Sequence, residues 1–128
     1  MDKTFNIISA YVCMICGFLF GAADGLLKAL IAFMIIDYIT GVIVAVISKK
    51  LSSKTGFRGI AKKIFILCLV AVGHMIDTHI IGENSLCRSA VIGFYIANEG
   101  ISILENSADI GIPLPKKLIE IFEQLKDK

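Results

Sequence analysis

Three carboxylates interrupt the apolar stretches of this chain: Asp37, Asp77 and Glu99. Each has a neighbour able to share a proton or a hydrogen bond. Thr40 follows Asp37 by one turn, His74 precedes Asp77 by one turn, and Tyr95 and Ser102 flank Glu99. A carboxylate among hydrocarbon is costly, so such a group lines water, pairs with a cation, or stays protonated and donates a hydrogen bond. For Asp37 these three readings stay open, with Arg88 as the candidate cation. Tyr95, Glu99, Ser102 and Asn106 form a polar stripe at helical spacing. Other chemistry is not indicated. His74, Asp77, His79 and Cys87 match no metal-ligand spacing, and the two histidines fall on different helix faces. Cys13 and Cys16 form a C-x-x-C inside an apolar run, where they read as small packing residues. There is no nucleophile–base signature, P-loop or nucleotide-binding glycine fingerprint. The sequence predicts no enzyme, no metal and no cofactor.

The elements that carry these groups are long and apolar. Hydrophobic residues make up 56% of the 128 positions, and mean hydropathy is +0.81. Soluble domains hold about 45–50% apolar residues. Four runs approach the length of about 20 residues that a membrane span needs: about 5–23, 29–48, 64–82 and 86–104. In the second, eleven Leu, Ile, Phe and Val residues contribute roughly −5 kcal/mol to insertion against roughly +3 for Asp37. The fourth carries Arg88, Asn98 and Glu99 and inserts poorly alone, so it crosses against the other helices or lies at the interface. The first run reads as an uncleaved span. The expected fold is an all-α membrane protein with three or four transmembrane helices and a short C-terminal amphipathic helix.

Between the second and third runs lies KKLSSKTGFRGIAKK, residues 49–63, with Lys49, Lys50, Lys54, Arg58, Lys62 and Lys63 and no acid. Six cations tethered between two spans set topology and meet lipid headgroups; nucleic acid is not the expected partner. With four spans, eleven Lys and Arg residues fall on the side of this loop and both termini, against Lys28 and Arg88 opposite. That predicts a multi-pass protein of a bacterial cytoplasmic membrane with the 49–63 loop and both ends inside. The chain divides into a transmembrane domain, 1–105, and a cytoplasmic tail, 106–128. The tail has a turn-rich linker over 105–115, then a helix whose Leu118, Ile119, Ile121, Phe122 and Leu125 share a face.

Small residues recur every fourth position at Ser9, Cys13, Gly17, Gly21 and Gly25. On one helix they would make a smooth groove, and close backbone approach through small residues drives association in lipid. The groove would serve another copy of the chain or another span of the same chain. Gly41 extends the small-residue set to the second run.

Three stretches carry a family resemblance: DYITG at 37–41, LSSKTGFRGIAKK at 51–63 and FYIANEGISILENSADIGIPLPKKL at 94–118. Together they resemble the toxin-secretion/phage-lysis holins of clostridia and of phages of Gram-positive bacteria, over about residues 30–120. The resemblance implies a small protein, commonly of about three spans, that accumulates in the cytoplasmic membrane, forms homo-oligomers and permeabilises it. Endolysin, or in some members a protein toxin, then leaves, without required direct contact. A small ion channel or transporter subunit is the alternative, and a membrane anchor with the tail as its docking helix is a third reading.

Overall fold

The structure is a computed structural model. It describes residues 2–82 and 85–127, and the side chains of 122 and 125–127 lie outside what is described. Among the described residues five α-helices follow in order: α1 (Asp2–Phe20), α2 (Gly25–Ile47), α3 (Ser53–Met75), α4 (Leu86–Asp109) and α5 (Lys116–Asp127). A π-helical turn, Ile76–Ile81, prolongs α3. Among the described residues, Asp2–Phe20, Gly25–Ile47 and the continuous stretch Ser53–Ile81 are long and apolar enough to cross a membrane. The chain is an all-α membrane protein.

The local chemistry explains the boundaries. Gly21 ends α1 with a left-handed backbone, φ +81°, a conformation that costs an L side chain roughly 1–2 kcal/mol. Asp24 starts α2 by accepting the amide of Leu27 at 3.0 Å, the usual work of an N-cap carboxylate. At the other end, Lys50 N–H reaches Ala45 O at 2.8 Å and Lys49 N–H reaches Val46 O at 3.2 Å. This is a Schellman closure with Lys49, φ 59°, in the left-handed position. Ser52 then caps α3 by accepting Thr55 N–H at 3.1 Å.

These caps correct the sequence boundaries. The expected loop over 49–63 shrinks to residues 48–52, and Lys54, Arg58, Lys62 and Lys63 are helical. The Ser52 cap allows helix to start eleven residues before the apolar run does. Helix α4 also outruns its expected end, reaching Asp109, so the 105/106 division falls inside it. The helical tail begins at Lys116, as the spacing predicts; its expected apolar face includes Phe122 and Leu125, whose side chains lie outside those described.

Helix α4 is the centre of the bundle. It packs along α2, along α3 and against α5, whereas α1 packs on α3. Cross-helix pairs set the directions: Asp24 meets Arg88 and Asp37 meets Asn106, so α2 and α4 run parallel and pack directly on each other, with α3 antiparallel to both. Leu27, Leu30, Met34, Val70 and Ile92 form the apolar core. The exterior carries Phe5, Tyr11, Ile35, Phe65 and Phe94. Inside sit Asp77, Arg88 and Glu99, at 3%, 3% and 6% exposure. An apolar outside with charge inside suits a hydrocarbon solvent.

Helices α3 and α4 come close together at Gly73. A methyl group there would lie 3.1 Å from the Arg88 backbone and 3.2 Å from the carbonyl carbon of Cys87. Backbone cannot swing aside as a side chain does. Gly73→Ala is expected to destabilise the bundle by about 1–3 kcal/mol, read as a lower midpoint in thermal unfolding in detergent. An unchanged midpoint would show that the two helices are not held this close.

Candidate functional site

Two polar clusters occupy opposite ends of the bundle. In the first, Lys63 of α3 points inward. Its ammonium donates to Asp37 Oδ2 at 2.8 Å and to both oxygens of Glu99 at 3.1 and 3.0 Å. All three protons of the ammonium are thereby used. Asn106 donates to Asp37 Oδ1 at 3.2 Å and to Thr40 Oγ1 at 2.9 Å. Thr40 donates to the carbonyl of Ile36 at 2.8 Å. The triad joins α2, α3 and α4 at one level: Asp37 lies ten residues before the end of α2, Lys63 ten after the start of α3, and Glu99 ten before the end of α4.

A cleft leads from this triad toward the 48–52 turn. It holds about 230 Å³ and is lined by Asp37, Gly41, Thr55, Gly59, Lys63 and Ser102, among others. Tyr38 walls one side, its ring lying over Gly59 and its hydroxyl donating to Gly56 O at 3.4 Å. A wider mouth of about 610 Å³ shares Gly41, Ala45 and Thr55 with the cleft and ends among Ser48, Lys50 and Asp109.

The second cluster holds the α1–α2 turn. Arg88, buried at the start of α4, donates from Nε to Phe20 O at 2.6 Å and from Nη2 to Ala22 O at 2.8 Å. Its Nη1 and Nη2 meet the two oxygens of Asp24 at 2.8 and 3.2 Å. Asp77, on the π turn, accepts the amides of Cys87 and Arg88, both at 2.9 Å. It caps α4 from outside that helix, and Ser85, at the cap position, makes no side-chain bond there. No buried side-chain polar atom among the described residues lacks a partner.

Asp24 lies outside the spans, and the Arg88 hydrogen bonds hold its carboxyl below the usual value of 3.8. A lowered carboxyl stabilises the fold fully above its unfolded value and loses that contribution as pH falls through the folded value. The turn is therefore expected to stay latched through the neutral and mildly acidic range and to loosen only below about pH 4. Amide exchange across residues 20–25 checks this; Asp24→Asn is expected to remove the acid step.

The sequence candidates thus separate. Asp37, Ser102 and Gly41 line the cleft, Gly41 lying 3.8 Å from Asn106 Nδ2 as measured from an added methyl, while Glu99 and Thr40 join it from behind through Lys63 and Asn106. Tyr95 instead packs on the core, edge-on to Phe94 at 5.0 Å. His74 and Asp77 belong to the opposite cluster; an added methyl on Gly21 would meet the His74 ring at 2.9 Å. Asp37 pairs with Lys63 and not with Arg88, because Arg88 sits about three turns away along α4 beside Asp24. The small-residue stripe is split: Ser9, Cys13 and Gly17 are on α1, Gly21 ends that helix, and Gly25 begins α2. Nothing approaches Gly17 or Gly25 within 4 Å. Of the basic set, Lys49, Lys50, Lys54, Arg58 and Lys62 are exposed, while Lys63 is withdrawn into the triad.

Sequence reasoning missed Asp24, Gly73 and the role of Lys63. A signal for Lys63 was present. Lys54, Arg58 and Lys62 recur every fourth residue, and Gly56, Gly59 and Lys63 fall on the opposite face.

A model of the bacteriophage holin family matches residues 14–127. The chain belongs to the bacteriophage holin family. This holin-family chain is 52% identical over 110 residues to an uncharacterized protein of Listeria monocytogenes, covering 84% of the chain and 78% of that relative. It is 46% identical over 110 residues to an uncharacterized 14.9 kDa protein in the nagH 3′ region of Clostridium perfringens, covering 86% and 83%. An uncharacterized protein of Halalkalibacterium halodurans is 38% identical over 130 residues, 98% of this chain and 96% of its own. No solved structure matches the holin-family chain.

Proposed function

We propose that this holin-family protein accumulates in the bacterial cytoplasmic membrane, self-associates there and opens it, so that endolysin or a protein toxin leaves the cell at a timed moment. The observation that carries this reading is the enclosed Lys63–Asp37–Glu99 triad inside a bundle with an apolar exterior. A dispersed copy hides its charge and leaves the bilayer tight. An assembly that parts α2, α3 and α4 lines water with the same groups.

The proposed topology has four crossings, with the 48–52 turn and both termini in the cytoplasm. Helix α4 crosses because its charges are paired and α2 and α3 screen it from lipid. The turn side carries Lys3, Lys49, Lys50, Lys54, Arg58, Lys62, Lys116 and Lys117; the other side carries Lys28 and the paired Arg88. Exposed Lys62 sets the depth. It snorkels to headgroups, so the adjacent Lys63 triad lies within a side chain's length of the inner interface. The segment from Lys63 to the end of the π turn then spans about 27 Å at 1.5 Å per residue, close to the hydrocarbon thickness.

The test is induction in a bacterium with a co-expressed endolysin, following dye entry and cell-wall breakdown. The expected result is abrupt dye entry followed by endolysin-dependent lysis. Ion leakage with cells left intact favours the channel reading and overturns this one, as does a tight membrane at full expression.

A further inference from the structure

The enclosed triad does not balance its own charge. It joins two carboxylates to one ammonium, and the nearest other ionisable groups do not supply the missing cation. On α2, the Tyr38 hydroxyl is engaged with Gly56 O, and Lys50, just past the helix, stands at the mouth of the cleft. On α3, Lys63 is the cation already counted. On α4, Asp109 is at the mouth with Lys50. Arg88 is committed to Asp24 at the far end. The triad is thus left one positive charge short, and an uncompensated buried charge is among the costliest features a bundle can hold.

The geometry supplies a route for that charge. The cleft and its mouth share Gly41, Ala45 and Thr55, so one continuous opening runs from beside the 48–52 turn to Asp37 and Lys63. Small residues keep it open: Gly41 and Ala45 on one wall, Gly56 and Gly59 on another. Ser52, Thr55, Ser102 and Asn106 offer water the polar partners that a hydrated cavity needs. At the other end the Arg88 guanidinium is bonded to Phe20 O, Ala22 O and Asp24.

We propose that this cleft is a water-filled inlet, open only at the basic-turn side, through which the Asp37–Glu99 pair takes up and releases one proton. Loaded, the triad is neutral: one carboxylic acid, one carboxylate and one ammonium. Unloaded, it carries a charge of −1. The proton moves between water in the inlet and a carboxylate oxygen, and no other bond changes. The inference rests on membrane residence and does not need the protein to form a hole.

Two measurements on the intact chain test it. The first uses purified protein in sealed phosphatidylethanolamine–phosphatidylglycerol vesicles, with infrared difference spectra recorded between acid and alkaline buffer. The wild type is expected to show a carboxylic acid carbonyl band that disappears as pH rises, and Glu99→Gln and Asp37→Asn are each expected to lose it. Absence of the band at every pH overturns the proposal, and so does a band that never titrates or one that survives in both variants. A response to sodium at fixed pH in place of the proton response also overturns it.

The second measurement uses Ser102→Cys in a chain whose four native cysteines are alanine. A membrane-impermeant thiol reagent is expected to label it in inverted bacterial membrane vesicles and not in right-side-out ones. Leu30→Cys, in the apolar core, is expected to stay unlabelled in both. Failure of Ser102→Cys to react from either side shows a dry cleft and sinks the inlet; labelling from the outer side reverses its direction and sinks it as stated. A chain that passes both tests and yet never lyses cells would overturn the holin reading and leave the proton site standing.

Discussion

Lys63→Met is expected to lose about 3–5 kcal/mol of folding stability, the cost of leaving buried charge without its partner. Methionine keeps most of the apolar stem, so the loss reports the ammonium and little else. Without it, Asp37 and Glu99 face each other across the space the ammonium held, with Asn106 as one remaining donor to Asp37. Glu99 is enclosed and Asp37 meets water only through the narrow cleft, so solvent relieves little of the repulsion. The control removes all the charge together: Lys63→Met with Asp37→Asn and Glu99→Gln is expected to recover most of the loss, because a buried ion cluster replaced whole is often neutral in cost. Unfolding in detergent by heat or denaturant gives both numbers. Equal stability of Lys63→Met and wild type would place the triad in water and undo the enclosed arrangement. A triple variant no better than the single would assign the loss to packing.

The same residue shows where the sequence was legible and where it was not. Span existence followed from apolar length, and three of the four runs form helices long and apolar enough to cross. Of the carboxylates inside those runs, Asp37 and Glu99 meet through Lys63, and Asp37 lines the cleft with Ser102. What failed was partner assignment. Lys63 stood at the edge of a block of cations, and composition reads such a block as a loop. Its helical phase opposite Lys54, Arg58 and Lys62 carried the contrary signal, but phase counts only once helix is assumed. Arg88 failed for a different reason. Its partner lies 64 residues away, and nothing local fixes the register of α2 on α4. Given one pair the other follows: Asp24 with Arg88 and Asp37 with Glu99 are offset by 64 and 62 residues on two parallel helices. The stripe at Ser9–Gly25 misled because spacing says nothing about whether one helix continues; Gly21 both matches the stripe and breaks it.

Arg88 is the second site of large expected effect. Arg88→Leu is expected to cost about 3 kcal/mol, because the carbonyls of Phe20 and Ala22 lose charge-assisted donors. Asp24 adds less to the loss, since its side chain is 43% exposed and water takes over its solvation. Arg88→Lys is expected to recover only part: one ammonium does not reproduce a fork that reaches two carbonyls and both carboxylate oxygens at once. The effect is local as well as global. Helix α1 has no buried residue and packs on α3, with one ring pair to the π turn, Phe18 to His79 at 6.0 Å. The Arg88 clamp is therefore the main polar tie between its end and the core. Hydrogen exchange in Arg88→Leu is expected to rise first over residues 17–24 and to leave Leu30, Met34 and Val70 protected. A rise spread evenly through the bundle would show that Arg88 supports the core as a whole. A rise confined to the end of α1 would make that helix an arm held by one side chain, free on release to pack its Ser9–Cys13–Gly17 face against lipid or another copy.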